Sequence, residues 1–451
     1  MIPLGLLLVG LVSAAPAGPV PPPHPGAGRS AAAGGIPDTV PLPVITLAEA
    51  LERAVRLNPD YVRAVGQVGD AEWGRRAARL AFFLPAVTAN LDYTKYSTRF
   101  FNIGTGSLVS TSVVGRLDAR YEILSARKLT ELARTQAELD AAQATEAQAR
   151  FQAALLTESA YYAVLADREF TRVAEDRVAR AREQLAAARA LVTSGAAVQT
   201  DSLQVALELT RALVDLLQQQ SSLRVSRLEL GRRVGFPGGA DAAPLDTMAP
   251  APLPLSVEEA IARAVAQGPE YRTARARERA ALAFLRGRRG AYLPTLSLSG
   301  AHTRFDDHVF PSARNVSSLT ITLNYPLWNN GDREIQLSQA RTDLDVARAI
   351  RADLERAAAR DVTAAYEAYE TARARFGLAE TALAVARENY RVQETRYRAG
   401  ATTVLDLLEA QVALTQAQAD LVDARFNARL ALASLEAMLG ARLVPHQGDG
   451  S

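Results

Sequence analysis

Two stretches decide the fold: TLAEALERAVRLNPDYVRA at Thr46–Ala64 returns as SVEEAIARAVAQGPEYRTA at Ser256–Ala274, displaced by 210 positions. Working outward, the same two copies carry Leu84-Pro85 and Leu293-Pro294, Tyr121 and Tyr325, Gly195 with Asp201 and Gly400 with Asp406, and Gly235 and Gly440. Similarity at a long, nearly constant period means that one unit has been built twice. The copies run over 44–235 and 255–440, joined by a Pro/Gly/Ala-rich linker at 236–254.

Within each copy the elements follow one order. Thr46 and Ser256 precede Glu49 and Glu259 by three residues, the spacing of a capping box, so a helix starts at each. Asn58-Pro59 and Gly268-Pro269 break those helices, and Leu84-Pro85 and Leu293-Pro294 end them. The period then changes from helical to alternating. Val113, Leu117, Ala119 and Tyr121 fall on one side and Ser112, Arg116, Asp118, Arg120 and Glu122 mostly on the other. Leu319, Ile321, Leu323 and Tyr325 alternate with Thr320, Thr322 and Asn324 in the same way. Hairpins are expected at about 86–122 and 295–327. Period two with one apolar side suits a barrel strand between lipid and lumen, and equally an ordinary half-buried sheet.

Beyond each hairpin lie long runs of Ala, Leu, Arg, Glu and Gln. No proline occurs between Ala126 and Val234 or between Arg333 and Leu439. Such runs are long helices, reversed by hairpin tips near Gly195 and Gly400. Leu209, Leu216, Leu223 and Leu230 recur every seven residues, as do Leu407, Leu414, Leu421, Ala428 and Leu435, which is the spacing of coiled-coil seams.

This organisation resembles the outer-membrane efflux protein family, the TolC-like trimeric channels. The resemblance covers about residues 44–440. It rests on the duplication, on Tyr325-Pro326-Leu327-Trp328-Asn329-Asn330-Gly331, and on the tip segment Tyr397–Ala410, YRAGATTVLDLLEA, with its first-copy partner Ser194–Asp201. It implies an α+β membrane protein: a homotrimer with a shared 12-stranded antiparallel β-barrel, four strands per protomer, above a long periplasmic α-helical barrel with coiled-coil hairpins. It implies an outer-membrane exit duct extending into the periplasm, in a tripartite efflux or type I secretion system. The partners are then a periplasmic adaptor, an inner-membrane pump and outer-membrane lipids. A periplasmic coiled-coil adaptor or scaffold would also need long helical hairpins, but no alternating strands.

The resemblance also assigns residues. Asp406 and Glu409 are three apart, so they share a helix face; the residues alone read as a solvated face, whereas the family places acidic rings of a pore constriction there. Tyr397 and Asp201 match positions that hold the pore shut. The arginine expected two residues past the tip glycine is Thr402 here. The tips, Gly195, Ala196 and Val198 with Gly400, Ala401, Val404 and Leu405, correspond to the adaptor-docking turns. A second departure is that the first strand-to-helix step, Tyr121–Arg127, has neither the proline nor the glycine of the second.

Composition excludes other classes. Lys+Arg number 51 and Asp+Glu 49, a net charge of +2, which gives no overall field for nucleic acid. There is no cysteine, and the four histidines are His24, His302, His308 and His446. His302 and His308 flank Asp306-Asp307 without a ligand spacing, so no metal is expected. Arg286, Arg288 and Arg289 read as a solvated cluster. No phosphate-binding glycine loop and no Gly-x-Ser-x-Gly elbow occurs, and neither an enzyme nor a cofactor is expected. Residues 1–17, MIPLGLLLVGLVSAAPA, read as a signal peptide cleaved near Ala15 or Ala17, 18–43 as a disordered Pro/Gly/Ala-rich leader and 441–451 as a tail.

Overall fold

The computed structural model describes residues 42–103, 106–195, 197–245, 249–307 and 314–443, with no side-chain description at 127, 129 and 314. The expected signal peptide, nearly all of the leader, most of the tail, Ala196 and His308 lie outside them. In chain order the elements are β1 (Val44–Ile45), α1 (Leu47–Leu57), α2 (Pro59–Phe83), β2 (Ala86–Asn102), β3 (Ser107–Leu124), α3 (Ala126–Thr193), α4 (Gln199–Val234) and β4 (Asp241–Ala242). The second copy gives α5 (Val257–Gln267), α6 (Pro269–Arg289), β5 (Thr295–Asp306), β6 (Arg314–Asn324), α7 (Asp332–Arg398) and α8 (Val404–Leu439). A 3₁₀ turn, Gly290–Tyr292, joins α6 to β5.

Side-chain caps set the short helices. Thr46 Oγ1 accepts the Glu49 amide at 3.3 Å, and Asn58 Oδ1 accepts those of Asp60 and Tyr61 at 2.9 and 3.1 Å. Pro59 and Pro269 stand in the first turns of α2 and α6, where a missing N–H costs nothing. The Ser256–Glu259 capping box is closed in both directions, at 2.8 and 3.2 Å.

The hairpins form one antiparallel sheet in the order β2-β3-β5-β6. Its register aligns the apolar residues of all four strands. Leu117 lies opposite Ala89 and His302, Ala119 opposite Val87 and Gly300, Tyr121 opposite Leu298, and Leu298 opposite Ile321. Directly opposed residues share a face, so Val87, Ala89, Leu117, Ala119, Tyr121, Leu298, Leu319, Ile321 and Leu323 fall on one mostly apolar face, which also carries His302, Arg304 and Ser317, and Thr88, Arg116, Asp118, Ser299 and Thr320 lie on the other. No helix covers the apolar face at β6: Leu319, Ile321 and Leu323 are 74%, 67% and 70% exposed. β2 and β6 are the free edges.

The helices α3 and α7, of 68 and 67 residues, are each about 100 Å long at 1.5 Å per residue. They return as α4 and α8, 36 residues each, which end on the left-handed glycines Gly235 and Gly440 at φ 85° and 67°. The two strand-to-helix steps use different chemistry. In the second, Asn330 and Gly331 take positive φ, and Arg333 donates to the carbonyls of Pro326 and Leu327 at 2.7 and 3.2 Å. In the first, Ser125 caps α3, while Lys128 Nζ donates to the Glu122 carbonyl at 2.6 Å and sits 3.9 Å over the Tyr121 ring. A lysine and a serine hold the turn that proline and glycine hold in the other copy.

The described parts of the 236–254 segment, 236–245 and 249–254, are packed against the helices. β4 within it pairs in parallel with β1, and Asp241 bonds Arg227 at 2.6 Å and lies 3.6 Å from Arg168. The buried Tyr161 hydroxyl donates to the Ala243 carbonyl at 2.7 Å, and desolvation pushes its pKa up to about 12. In the second copy Tyr366 and Tyr369 likewise donate to the carbonyls of Leu255 and Ala251. Leader composition also stops short of residue 43, because the Pro43 carbonyl accepts the Asp241 amide at 2.9 Å. This girdle binds both copies around the midpoints of α3 and α7.

Beside it, one turn of α3 from Tyr161, Glu158 is bonded by Arg442, which also bonds Glu436; the two carboxylate side chains are 2% and 3% exposed. The Leu443 amide completes the shell of Glu436 at 2.7 Å. Arg442→Ala would leave two buried carboxylates without their shared cation. We expect a loss of about 3–5 kcal/mol, read as a lowered unfolding temperature of the detergent-solubilised protein. Glu158→Gln in the same chain should recover part of it.

Candidate functional site at the hairpin tips

Each tip is a turn of a few residues closed by glycine. Gly195 and Gly400 have φ of +76° and +70°. Their amides reach the carbonyls of Val192 and Tyr397 at 3.1 and 3.0 Å, and those of Ala197 and Ala401 reach Leu191 and Arg396 at 3.2 and 2.8 Å. A Cβ at either glycine would meet nothing within 4 Å. The glycines are therefore required by backbone conformation and not by crowding.

Asp406 is tied to its own helix start. Its Oδ2 accepts from the Thr403 hydroxyl at 2.7 Å, the Thr402 hydroxyl at 2.8 Å and the Thr403 amide at 3.1 Å, while its amide donates back to Thr403 Oγ1 at 3.2 Å. This is a capping box extended by one hydroxyl, and Thr402, where the family pattern carries arginine, is that extension. The hydroxyl of Thr403, then that of Thr402, then the Thr403 N–H hold the carboxyl below the usual aspartate range. Glu409 stands exposed one turn further along α8.

Tyr397 lies on the opposite side of the tip, buried among Leu185, Val205, Val404 and Leu407. Burial, and then the nearby Asp201 carboxylate, push its phenol up. Its hydroxyl has no hydrogen-bond partner among the described residues. The four residues expected at the gate thus separate into Tyr397 in the tip core with the half-buried Asp201 near it, and Asp406 with Glu409 on the exposed side. Arg398 is paired with Glu394 on its own helix at 2.6 Å, and Arg396 donates to the Ala401 carbonyl at 3.3 Å.

Of the tip residues expected at a docking surface, Val198 and Leu405 are 62% exposed and Ala401 is also exposed. Val404 corrects that expectation. As the first residue of α8 after the Thr403 cap it turns inward, and it is 4% exposed within the tip core. Leu203, one turn into α4, stands in the exposed set instead.

Heptad leucines conceal a polar layer. Gln411 and Gln418 follow Leu407 and Leu414 by four residues, the other core position of the seam. Gln411 is 1% exposed, and both ends of its amide lack partners among the described residues. Gln418 accepts from Arg180 at 3.2 Å, and Gln184 donates to Tyr390 at 3.1 Å. Reading both seam positions from the sequence, rather than the leucines alone, finds this layer. Elsewhere His302 pairs with Ser317 at 2.9 Å, and no metal-binding cluster occurs among the described residues.

The sequence profile of the outer membrane efflux protein family matches residues 50–235 and 260–441. The chain is similar to outer membrane efflux protein BepC of Brucella suis biovar 1, 27% identical over 282 residues, which are 59% of this chain and 60% of that protein. It is also similar to protein CyaE of Bordetella pertussis, 33% identical over 190 residues, 41% of this chain and 40% of that protein. The aligned regions thus span less than two thirds of these relatives. Its fold matches the crystal structure of the Campylobacter jejuni CmeC outer membrane channel at a TM-score of 0.74 and 15% identity, over 90% of this chain and 87% of that one.

Two outcomes follow at the tip. Replacing Gln411 by Leu removes an unpaired buried amide and should raise stability by about 1–3 kcal/mol, measured as a higher unfolding temperature. The Asp406 cap works only when ionised, and its folded pKa lies below the unfolded value. Its contribution is therefore present above the ordinary carboxylate range, about 3.9, and is lost as pH falls through the depressed folded value. Amide exchange at Asp406 and Leu407, relative to mid-helix amides, should accelerate on that descent, and Asp406→Asn should abolish the pH dependence.

Proposed function

The chain belongs to the outer membrane efflux protein family, and on that premise we propose that it is the outer-membrane exit duct of a tripartite efflux or type I secretion system. The observation that carries this reading is the single-layer sheet, with apolar residues of all four strands, from Val87 and Ala119 to Leu298 and Ile321, on one face and polar residues on the other. Such a sheet suits lipid outside and a water-filled lumen inside. Lipid excludes open edges, so β6 of one copy pairs with β2 of the next, and three copies close a 12-stranded barrel. An adaptor or scaffold made of coiled coils has no use for this face. Among the described residues no helix is long and apolar enough to cross a membrane.

The helices then form a tunnel of roughly 100 Å into the periplasm. At its far end Asp406 and Glu409 of three copies ring the axis, Tyr397 and Asp201 brace neighbouring hairpins, and the tips with Val198, Ala401 and Leu405 receive a periplasmic adaptor that links to an inner-membrane pump. With Thr402 binding Asp406 in its own chain, no arginine at that position clasps the closed state. Spontaneous openings should be correspondingly frequent.

Native mass spectrometry of detergent-extracted protein should give three chains per particle. In single-channel recordings, Asp406→Ala with Glu409→Ala should weaken block by divalent cations and reduce cation selectivity, since like charges around an axis favour a bound cation. A soluble monomer would end the duct reading, and unchanged selectivity would move the carboxylates off the pore.

A further inference from the structure

A second charged feature lies away from the tips, between α3 and α6. Arg272, Arg275 and Arg279, at i, i+3 and i+7 on α6, line a cavity of about 300 Å³ with Asp140, Gln143 and Ala144 of α3. Its floor is fixed, because the Thr273 hydroxyl donates to the Ala144 carbonyl at 3.1 Å and pins the helices together. Three guanidinium groups therefore face one lining carboxylate. Gln136 already donates to Asp140 at 2.7 Å. Arg275 lies 3.7 Å from Glu355, whereas Arg272 and Arg279 have no ion-pair partner among the described residues.

The duplication supplies a control within the molecule. By the 210-residue displacement Arg272, Arg275 and Arg279 fall on Val62, Val65 and Gly69, and at the 209-residue displacement of the Leu-Pro step Arg275 and Arg279 fall on Gly66 and Asp70, so that neither alignment puts a cation opposite those two. The same helix in the same architecture is thus made without any of these charges, so the arginines are not a requirement of the fold. Crowded like charges without partners cost free energy unless an anion neutralises them.

We propose that this cavity binds a small multivalent phosphate-type anion, of the size and charge of a diphosphate. Guanidinium groups grip phosphate oxygens bidentately and cannot lose their charge. The volume is at the small end for a ligand site, too small for a folded partner. A soluble anion is the source, not a lipid headgroup. On the duct reading above, Arg279 lies ten residues along α6 from its end beside the sheet, about 15 Å at the helical rise. The headgroup layer is only about 5–8 Å deep.

The test is calorimetric titration of inorganic pyrophosphate into the full-length, detergent-solubilised protein at about 0.15 M salt. One saturable site per chain is expected. Installing the first-copy residues, Arg272→Val with Arg275→Val and Arg279→Gly, should weaken binding at least about tenfold. Arg279→Gln alone, an exposed and mild change, should weaken it severalfold, and Asp140→Asn should tighten it. Absence of saturable binding to the unsubstituted protein, or binding that the arginine variants leave unchanged, overturns the proposal. So does binding to vesicles of anionic phospholipid through these arginines with no competition from pyrophosphate, which would make the site a headgroup contact. Because the readout is anion binding, a failed duct reading, seen as a missing trimer, is separately visible.

Discussion

An unpaired backbone N–H or carbonyl cannot be left in hydrocarbon, and the sheet β2-β3-β5-β6 exposes two full edges of such groups beside an apolar face. Everything else follows from where those edges must be satisfied. Among the described residues no strand pairs with either edge. On the duct reading the sheet is therefore one third of a closed barrel, completed by two further copies of itself, and its inner face can be polar because it does not meet lipid.

Helices of about 100 Å cannot be held only at their ends. The girdle answers this at the midpoint, where backbone carbonyls of the interrepeat segment accept from Tyr161, Tyr366 and Tyr369, and Arg168 and Arg227 hold Asp241. Arg442 ties the end of α8 to the middle of α3 through Glu158. These are buried polar ties, whose strength lies in mutual satisfaction. Removing one partner costs far more than the net worth of the pair.

The tips follow the opposite policy. Gln411 and the Tyr397 hydroxyl are buried without partners among the described residues, in a seam that leucine could fill. Unsatisfied buried polar groups lower stability, and polar residues in a seam also fix its register. On the duct reading, a region with this composition is where the helical tunnel would open at least free-energy cost. The capping box at Thr403 meanwhile keeps the start of α8 intact, so motion would turn the hairpin as a body and not fray its end.

Much of this was legible in the sequence because it is local or periodic. The duplication, the capping residues Thr46 and Ser256, the Leu-Pro steps, the alternating strands and the glycine turns each depend on neighbours within a few positions. The arginine-lined cavity and the buried glutamine layer were not, because a charged or polar residue on a helix reads the same whether it meets water or another helix. Tertiary structure alone decided that Val404 turns inward and that the described parts of 236–254 pack as a girdle, because each depends on which surfaces the long helices bring together. The bonds of Ser125, Lys128 and Thr402 are local, three to six residues apart, and went unread because serine, lysine and threonine carry no turn signal as distinct as proline and glycine. Sequence spacing fixes the face of a helix a residue occupies, and only packing against a second helix decides what that face meets.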